Sequence, residues 1–108
     1  MLSVKKLFYK ILTNLIPTSE TVSTTIGNVG VWKMGKIVSL DLRGVASNQS
    51  GIITITNLPR PATYHVVQLY EGINVNGILY PNNSNQWTMR RVGGTGTLYG
   101  SVTYITLD

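Results

Sequence analysis

The stretch "GNVGVWKMGKIVSLDLRGV" (residues 27–45) decides the fold. It reads as one β-hairpin. A short run leads into a tight turn at Lys33-Met34-Gly35-Lys36, and a longer run follows. In that second run Val38, Leu40 and Leu42 alternate with Ser39, Asp41 and Arg43. Side chains of a strand point to opposite faces with period two, so one face is built for burial and the other for solvent. Trp32 lies in the first run, where an indole is expected in the core or at an interface.

Downstream the same grammar repeats. Strand-like runs fall at 52–57, 64–70, 73–80, 86–91 and 98–106, after runs at 22–26, 29–33 and 36–43. The breakers between them suit turns: Ser47-Asn48-Gln49-Ser50-Gly51, Pro59-Arg60-Pro61, Glu71-Gly72, Pro81-Asn82-Asn83-Ser84-Asn85 and Gly93-Gly94-Thr95-Gly96. Closely spaced strands with turn signals predict an all-β antiparallel sandwich or barrel. In 98–106, Leu98, Gly100, Val102, Tyr104 and Thr106 oppose Tyr99, Ser101, Thr103 and Ile105. The second set is mixed, which predicts cover on both faces, from another subunit or from an internal position.

Upstream, residues 1–17 read as an amphipathic helix. Val4, Leu7, Phe8, Ile11, Leu12, Leu15 and Ile16 follow helical spacing, and Pro17 ends the run. Val4, Phe8, Ile11 and Leu15 are spaced 4, 3, 4, one strip of a/d positions over two heptads. Three readings stand side by side: a helix docked on its own β-domain, an oligomeric helical bundle, and a signal peptide. Lys10 and the lack of a small-x-small site count against the last. The run is too short to cross a membrane as a helix. Residues 18–26 are Ser/Thr-rich, a linker or an entering edge strand, and 27–108 form the β-domain.

Composition sets outer bounds. The chain has 108 residues, enough for one domain with a real core. With no Cys, thiol catalysis and Cys-based metal sites are excluded. Charged residues make up 12%, against about 25% in an average domain. The net charge of +5 is uneven: Lys5, Lys6 and Lys10 stand without an acid, while residues beyond 19 carry six Lys/Arg against Glu20, Asp41, Glu71 and Asp108. No basic stripe marks a nucleic-acid binder.

Three segments in order carry a resemblance: Trp32-Lys33-Met34-Gly35-Lys36-Ile37-Val38-Ser39-Leu40, then Ile53-Thr54-Ile55-Thr56-Asn57-Leu58-Pro59-Arg60-Pro61, then Gly100-Ser101-Val102-Thr103-Tyr104-Ile105-Thr106. Together they resemble the C-terminal receptor-binding head domains of tailed-bacteriophage tail-fibre and baseplate proteins, from phages or prophages of Gram-positive hosts. The resemblance spans most of residues 27–106. It implies a jelly-roll-like β-sandwich, a homotrimer, and binding of a bacterial cell-surface polysaccharide or teichoic-acid-like polymer at a phage tail tip. The strip of Val4, Phe8, Ile11 and Leu15 would then face two copies of itself along the three-fold axis. Weak contacts at several equivalent sites would gain avidity. The competing readings are a structural virion component without ligand and a secreted carbohydrate-binding or adhesin module.

Catalytic equipment is thin. His65, the single histidine, has no Gly-x-Ser-x-Gly elbow to serve. It is expected as a satisfied strand histidine or at the rim of a ligand site. Glycoside hydrolysis needs two carboxylates, and Asp41 with Glu71 is the one conceivable pair. A surface ion pair of Asp41 with Arg43 is the simpler account. The Gly-rich run 93–100 lacks the Lys-Ser/Thr ending of a phosphate loop. No metal cluster or cofactor motif appears, so no enzyme, metal or cofactor is expected.

The most site-like segment is "LYPNNSNQWTMRR" (residues 79–91). Tyr80 and Trp87 offer faces for sugar C–H patches. Asn82, Asn83 and Asn85 offer amides for hydroxyls, and the Arg91 fork suits carboxylate or phosphate. His65 joins them as a rim candidate. The opposing account puts Trp87 in the core, makes the Asn cluster a turn, and sends one of Arg90 and Arg91 to an interface.

Overall fold

The computed structural model describes residues 16–46 and 51–108. The expected helix, with Val4, Phe8, Ile11 and Leu15, lies outside the described residues, as does most of the 47–51 turn. Eight strands form: β1 (Thr18–Thr24), β2 (Gly27–Met34), β3 (Ile37–Val45), β4 (Ile52–Thr54), β5 (Val67–Glu71), β6 (Asn74–Pro81), β7 (Trp87–Arg91) and β8 (Leu98–Ile105). Every pairing is antiparallel, and among the described residues there is no helix.

The hairpin of 27–45 forms as the alternation requires, with Met34 opposite Ile37 across Gly35 and Lys36. It is not the front of the sheet, however. Residues 18–24 pair along β2 from Thr18↔Lys33 to Thr24↔Gly27, so the segment is an edge strand. Other boundaries shift for local reasons. The run expected at 52–57 stops as a strand at Thr54, because Asn57 takes φ +69° and two prolines follow. The run expected at 64–70 begins only at Val67.

The strand order is β1-β2-β3-β8-β5-β6-β7-β4, one sheet of eight strands. It curls so that its inner faces meet. Val29, Val31, Val38, Leu40, Leu42 and Val45 from β2 and β3 join Leu69, Leu79, Trp87, Met89, Leu98 and Tyr104 in one buried cluster. The curl brings the two edges together at one place: Thr25 Oγ1 donates to Thr54 O at 2.7 Å, and Asn57 Nδ2 donates to Ser23 O at 3.0 Å. These side-chain bonds stand where a backbone ladder would close a barrel.

Two glycines answer local needs, one a close approach and one a left-handed backbone turn. A Cβ on Gly100 would lie 2.6 Å from Leu69 Cδ2, so β8 and β5 sit this close only because position 100 is bare. Gly44 takes φ +70° in a β-bulge between Arg43 and Val45. That extra residue keeps Arg43 beside Tyr99 on the outer face while Val45 turns into the core.

The β8 expectation splits. Edge to edge the strand is internal, between β3 and β5. Its outer face is open within one chain, where Tyr99 and Ile105 are about half exposed. The chain enters at Thr18, at the end that holds the Gly35–Lys36 turn, and Asp108 lies at that end too. Lys36 Nζ donates to Asp108 O at 3.0 Å there, and Arg60 grips the Asp108 carboxylate. The opposite end carries the β5–β6 hairpin tip and the 92–97 segment.

Candidate functional site

The segment 79–91 does not assemble an open sugar site. Trp87 is 1% exposed, its ring meeting Tyr104 edge-on at 5.1 Å. It therefore offers no face to a ligand. The run of β7 explains this: Trp87 and Met89 alternate onto the inner face, with Thr88 between them held by Tyr80 O at 2.6 Å. Among the described residues the Trp87 Nε1 proton has no hydrogen-bond acceptor. Tyr104 Oη donates to Pro59 O at 2.6 Å, and burial pushes the Tyr104 phenol up to about 12. The nearby Trp87 N–H works the other way, but too far from good geometry to count as a bond.

The asparagines build a turn. Asn82 Oδ1 accepts from Ser84 N (2.9 Å) and Gln86 N (3.0 Å). Asn85 takes φ +59°, a conformation asparagine tolerates, and its Nδ2 donates to Pro61 O at 2.9 Å. Asn83 alone points out unengaged among the described residues. His65 is half-buried, its ring 6.4 Å from Trp87 and 6.3 Å from Tyr104, and Nε2 shares a hydrogen bond with Thr63 Oγ1 at 3.0 Å.

Arg91 stands at the other end of β7 and faces inward. Its side chain is 7% exposed. It donates to Gly93 O (3.0 Å), Ala46 O (2.8 Å) and Gly96 O, and lies 3.6 Å from Glu71 Oε1. Glu71 Oε1 also accepts from Gly96 N at 2.6 Å. This pair staples the 92–97 segment. The seven expected site residues thus divide: His65 and Trp87 meet, Tyr80 stands half-buried on β6 opposite Thr88, the asparagines form their own turn, and Arg91 is elsewhere. The Asp41–Glu71 pair has no support either, since Asp41 holds Arg43 at 2.7 Å and Glu71 holds the 92–97 segment.

What the sheet does present is an outer row. Arg43, Tyr99 and Tyr70 are successive cross-strand partners on β3, β8 and β5. Tyr99 is 49% exposed and Tyr70 39%. Tyr99 leans over bare Gly44, where a Cβ would be 3.5 Å from its hydroxyl. Tyr70 Oη donates to Gln68 Oε1 at 3.0 Å, which leaves the amide N–H pair of Gln68 available. Val75, opposite Tyr70, extends the patch, and Ile73 at the hairpin tip is 94% exposed. The alternation in 98–106 already placed Tyr99 opposite the core set. Its neighbour Tyr70 required the strand order, which local sequence does not carry. No family model, curated protein or solved structure matches the chain.

Proposed function

We propose that this protein is a non-enzymatic recognition head that binds a bacterial cell-surface saccharide, of the kind found at phage tail tips. The observation that carries the reading is the Tyr70–Tyr99 pair. Two half-exposed phenol rings on adjacent strands, with Gln68 and Arg43 beside them, combine flat apolar faces with donors and acceptors. Sugars are held by that combination. The patch also lies away from the end where the chain enters, as a head at the tip of an assembly requires. The meeting of inner faces across the curl supports a jelly-roll-like sandwich as the finer description. In the same reading three copies associate through residues 1–17, and each presents one patch.

The test is a glycan array or a cell-wall pull-down with the full chain. Binding that Tyr99→Ala abolishes, at unchanged melting temperature, supports the reading. Unaltered binding by that variant sinks it.

A second reading, a structural assembly component, draws on β1. That edge strand is seven residues long, with no Lys or Pro within it. Natural sheets usually blunt such an edge, as the three-residue β4 does on the other side. Ordered polymers in light scattering, without glycan binding, would favour this second reading.

A further inference from the structure

We infer that Glu71 is a positioning residue for the Tyr70–Tyr99 surface: its carboxylate, latched to the Gly96 amide, fixes one tyrosine relative to the other. The inference rests on the saccharide reading above and adds the device that holds its binding surface in register.

No ladder sets the two tyrosines. Strands β5 and β8 share a single pair, Tyr70↔Tyr99, while β8 runs along β3 over its whole length. Both tyrosines also stand beside irregularities. The β5–β6 register shifts between Leu69 and Tyr70. The β3–β8 register shifts between Arg43, opposite Tyr99, and Val45. Bulges re-aim side chains and interrupt pairing, so the pair needs another tie. On the inner side Leu69 meets bare Gly100. That contact limits how closely the strands approach, but an apolar contact has no direction.

The latch supplies direction. Glu71 follows Tyr70 directly, and Gly96 precedes Tyr99 by three residues. Gly96 N donates to Glu71 Oε1 at 2.6 Å. A Cβ on Gly94 or on Gly96 would lie 2.8 Å from that same oxygen, so bare backbone closes around the carboxylate. Arg91, 3.6 Å from Glu71 Oε1, donates to Gly93 O and Gly96 O and grips the same segment. The carboxylate therefore has one seat. A hydrogen bond to an ionised acceptor is roughly twice as strong as a neutral one. Glu71 is committed to the protein's own backbone, and it acts on the ligand only through the tyrosines.

The test uses the full chain and immobilised Gram-positive cell walls as the probe. Affinities are compared at a temperature where circular dichroism shows each variant fully folded, so a loss of stability alone moves nothing. Glu71→Ala should bind about tenfold more weakly, the loss expected when roughly a tenth of the molecules hold the paired arrangement. Glu71→Gln keeps an acceptor for Gly96 N and should recover part of that loss. The chain has no Cys, so Glu71→Cys with Gly96→Cys adds one switchable tie. Glu71 Cγ lies 3.4 Å from the place of a Cβ on Gly96, within reach of a disulfide, and the three atoms nearest that place all belong to Glu71. Oxidised, the double variant should bind like the original protein; reduced, it should bind like Glu71→Ala. Equal binding by the oxidised, reduced and original proteins overturns the inference and leaves the saccharide reading standing. So does a loss in Glu71→Ala that the disulfide fails to restore, which would make the carboxylate a ligand contact in its own right. No binding of the original protein to the walls overturns both.

Discussion

The indole of Trp87 meets the ring of Tyr104 edge-on, centroids 5.1 Å apart and planes at 74°. Strands β7 and β8 are not neighbours in the sheet, so this contact spans the curl. It ties the two halves together, and the Tyr104 hydroxyl adds a tie to Pro59 O. Trp87→Ala should cost about 3–5 kcal/mol, the usual loss for a large buried aromatic. Trp87→Phe should cost much less, because the N–H it removes has no acceptor among the described residues and contributes nothing to balance its desolvation. Urea denaturation of the two variants checks the difference.

Tyr104 also predicts a pH dependence. Burial raises its pKa to about 12 in the folded state, above the ordinary 10.0. The unfolded chain therefore loses this proton first. The associated stability is complete below pH 10 and drains away as pH rises toward 12. Melting temperatures of the protein and of Tyr104→Phe, followed across that window, should converge as pH climbs. Parallel curves would refute the assignment.

Arg91 is expected to act on stability and not as a ligand group. Arg91→Ala strands the carbonyls of Ala46, Gly93 and Gly96 and leaves Glu71 without its cation. The loss should reach about 1–3 kcal/mol, the cost of leaving buried acceptors without a donor, because Glu71 is a third exposed and its ion pair adds little. Arg91→Lys should recover only part of it, since its single nitrogen cannot stand at both positions from which Nη1 reaches Gly93 O and Nη2 reaches Ala46 O and Gly96 O. Hydrogen exchange at the Gly96 amide reports the loosening directly.

Gly100→Ala should destabilise by about 1–3 kcal/mol through overpacking. The new methyl would meet Leu69 Cδ2 at 2.6 Å and Gln68 O at 3.3 Å. Pairing it with Leu69→Val should return part of the loss, giving a coupling in a double-mutant cycle.

At the entry end, Arg60 holds the Asp108 carboxyl below its ordinary value through side-chain and backbone hydrogen bonds. A depressed carboxyl contributes stability above its unfolded pKa of 3.8 and loses it as pH falls through the lower folded value. The Leu107 amide, bonded to Arg60 O at 2.9 Å, should exchange faster in Asp108→Asn at neutral pH. Below the folded pKa the two proteins should exchange alike there.

Much of the fold was legible locally. Seven of the eight strands stand where alternating runs and turn residues placed them, within a few residues at each end, while β1 runs over 18–24 where the local reading had 22–26 and left a linker open. Val38, Leu40 and Leu42 are buried, and Ser39, Asp41 and Arg43 face outward. The site was far less legible. Trp87 and Arg91 have the chemistry of sugar binding, yet both turn inward. A Trp on a strand reads the same whether it faces a core or a ligand. Which it faces depends on what lies across the curl, here Tyr104.

By itself, then, the sequence determined the all-β class, the strand positions and the inner face of β3, because alternation and turn chemistry act over a few neighbouring residues. The tertiary structure decided that 18–24 is an edge strand and that β8 lies between β3 and β5. It also decided that Tyr99 stands beside Tyr70, twenty-nine residues away in the chain. Pairing between distant strands is chosen by how whole faces fit in one core, and no short stretch of residues contains that information.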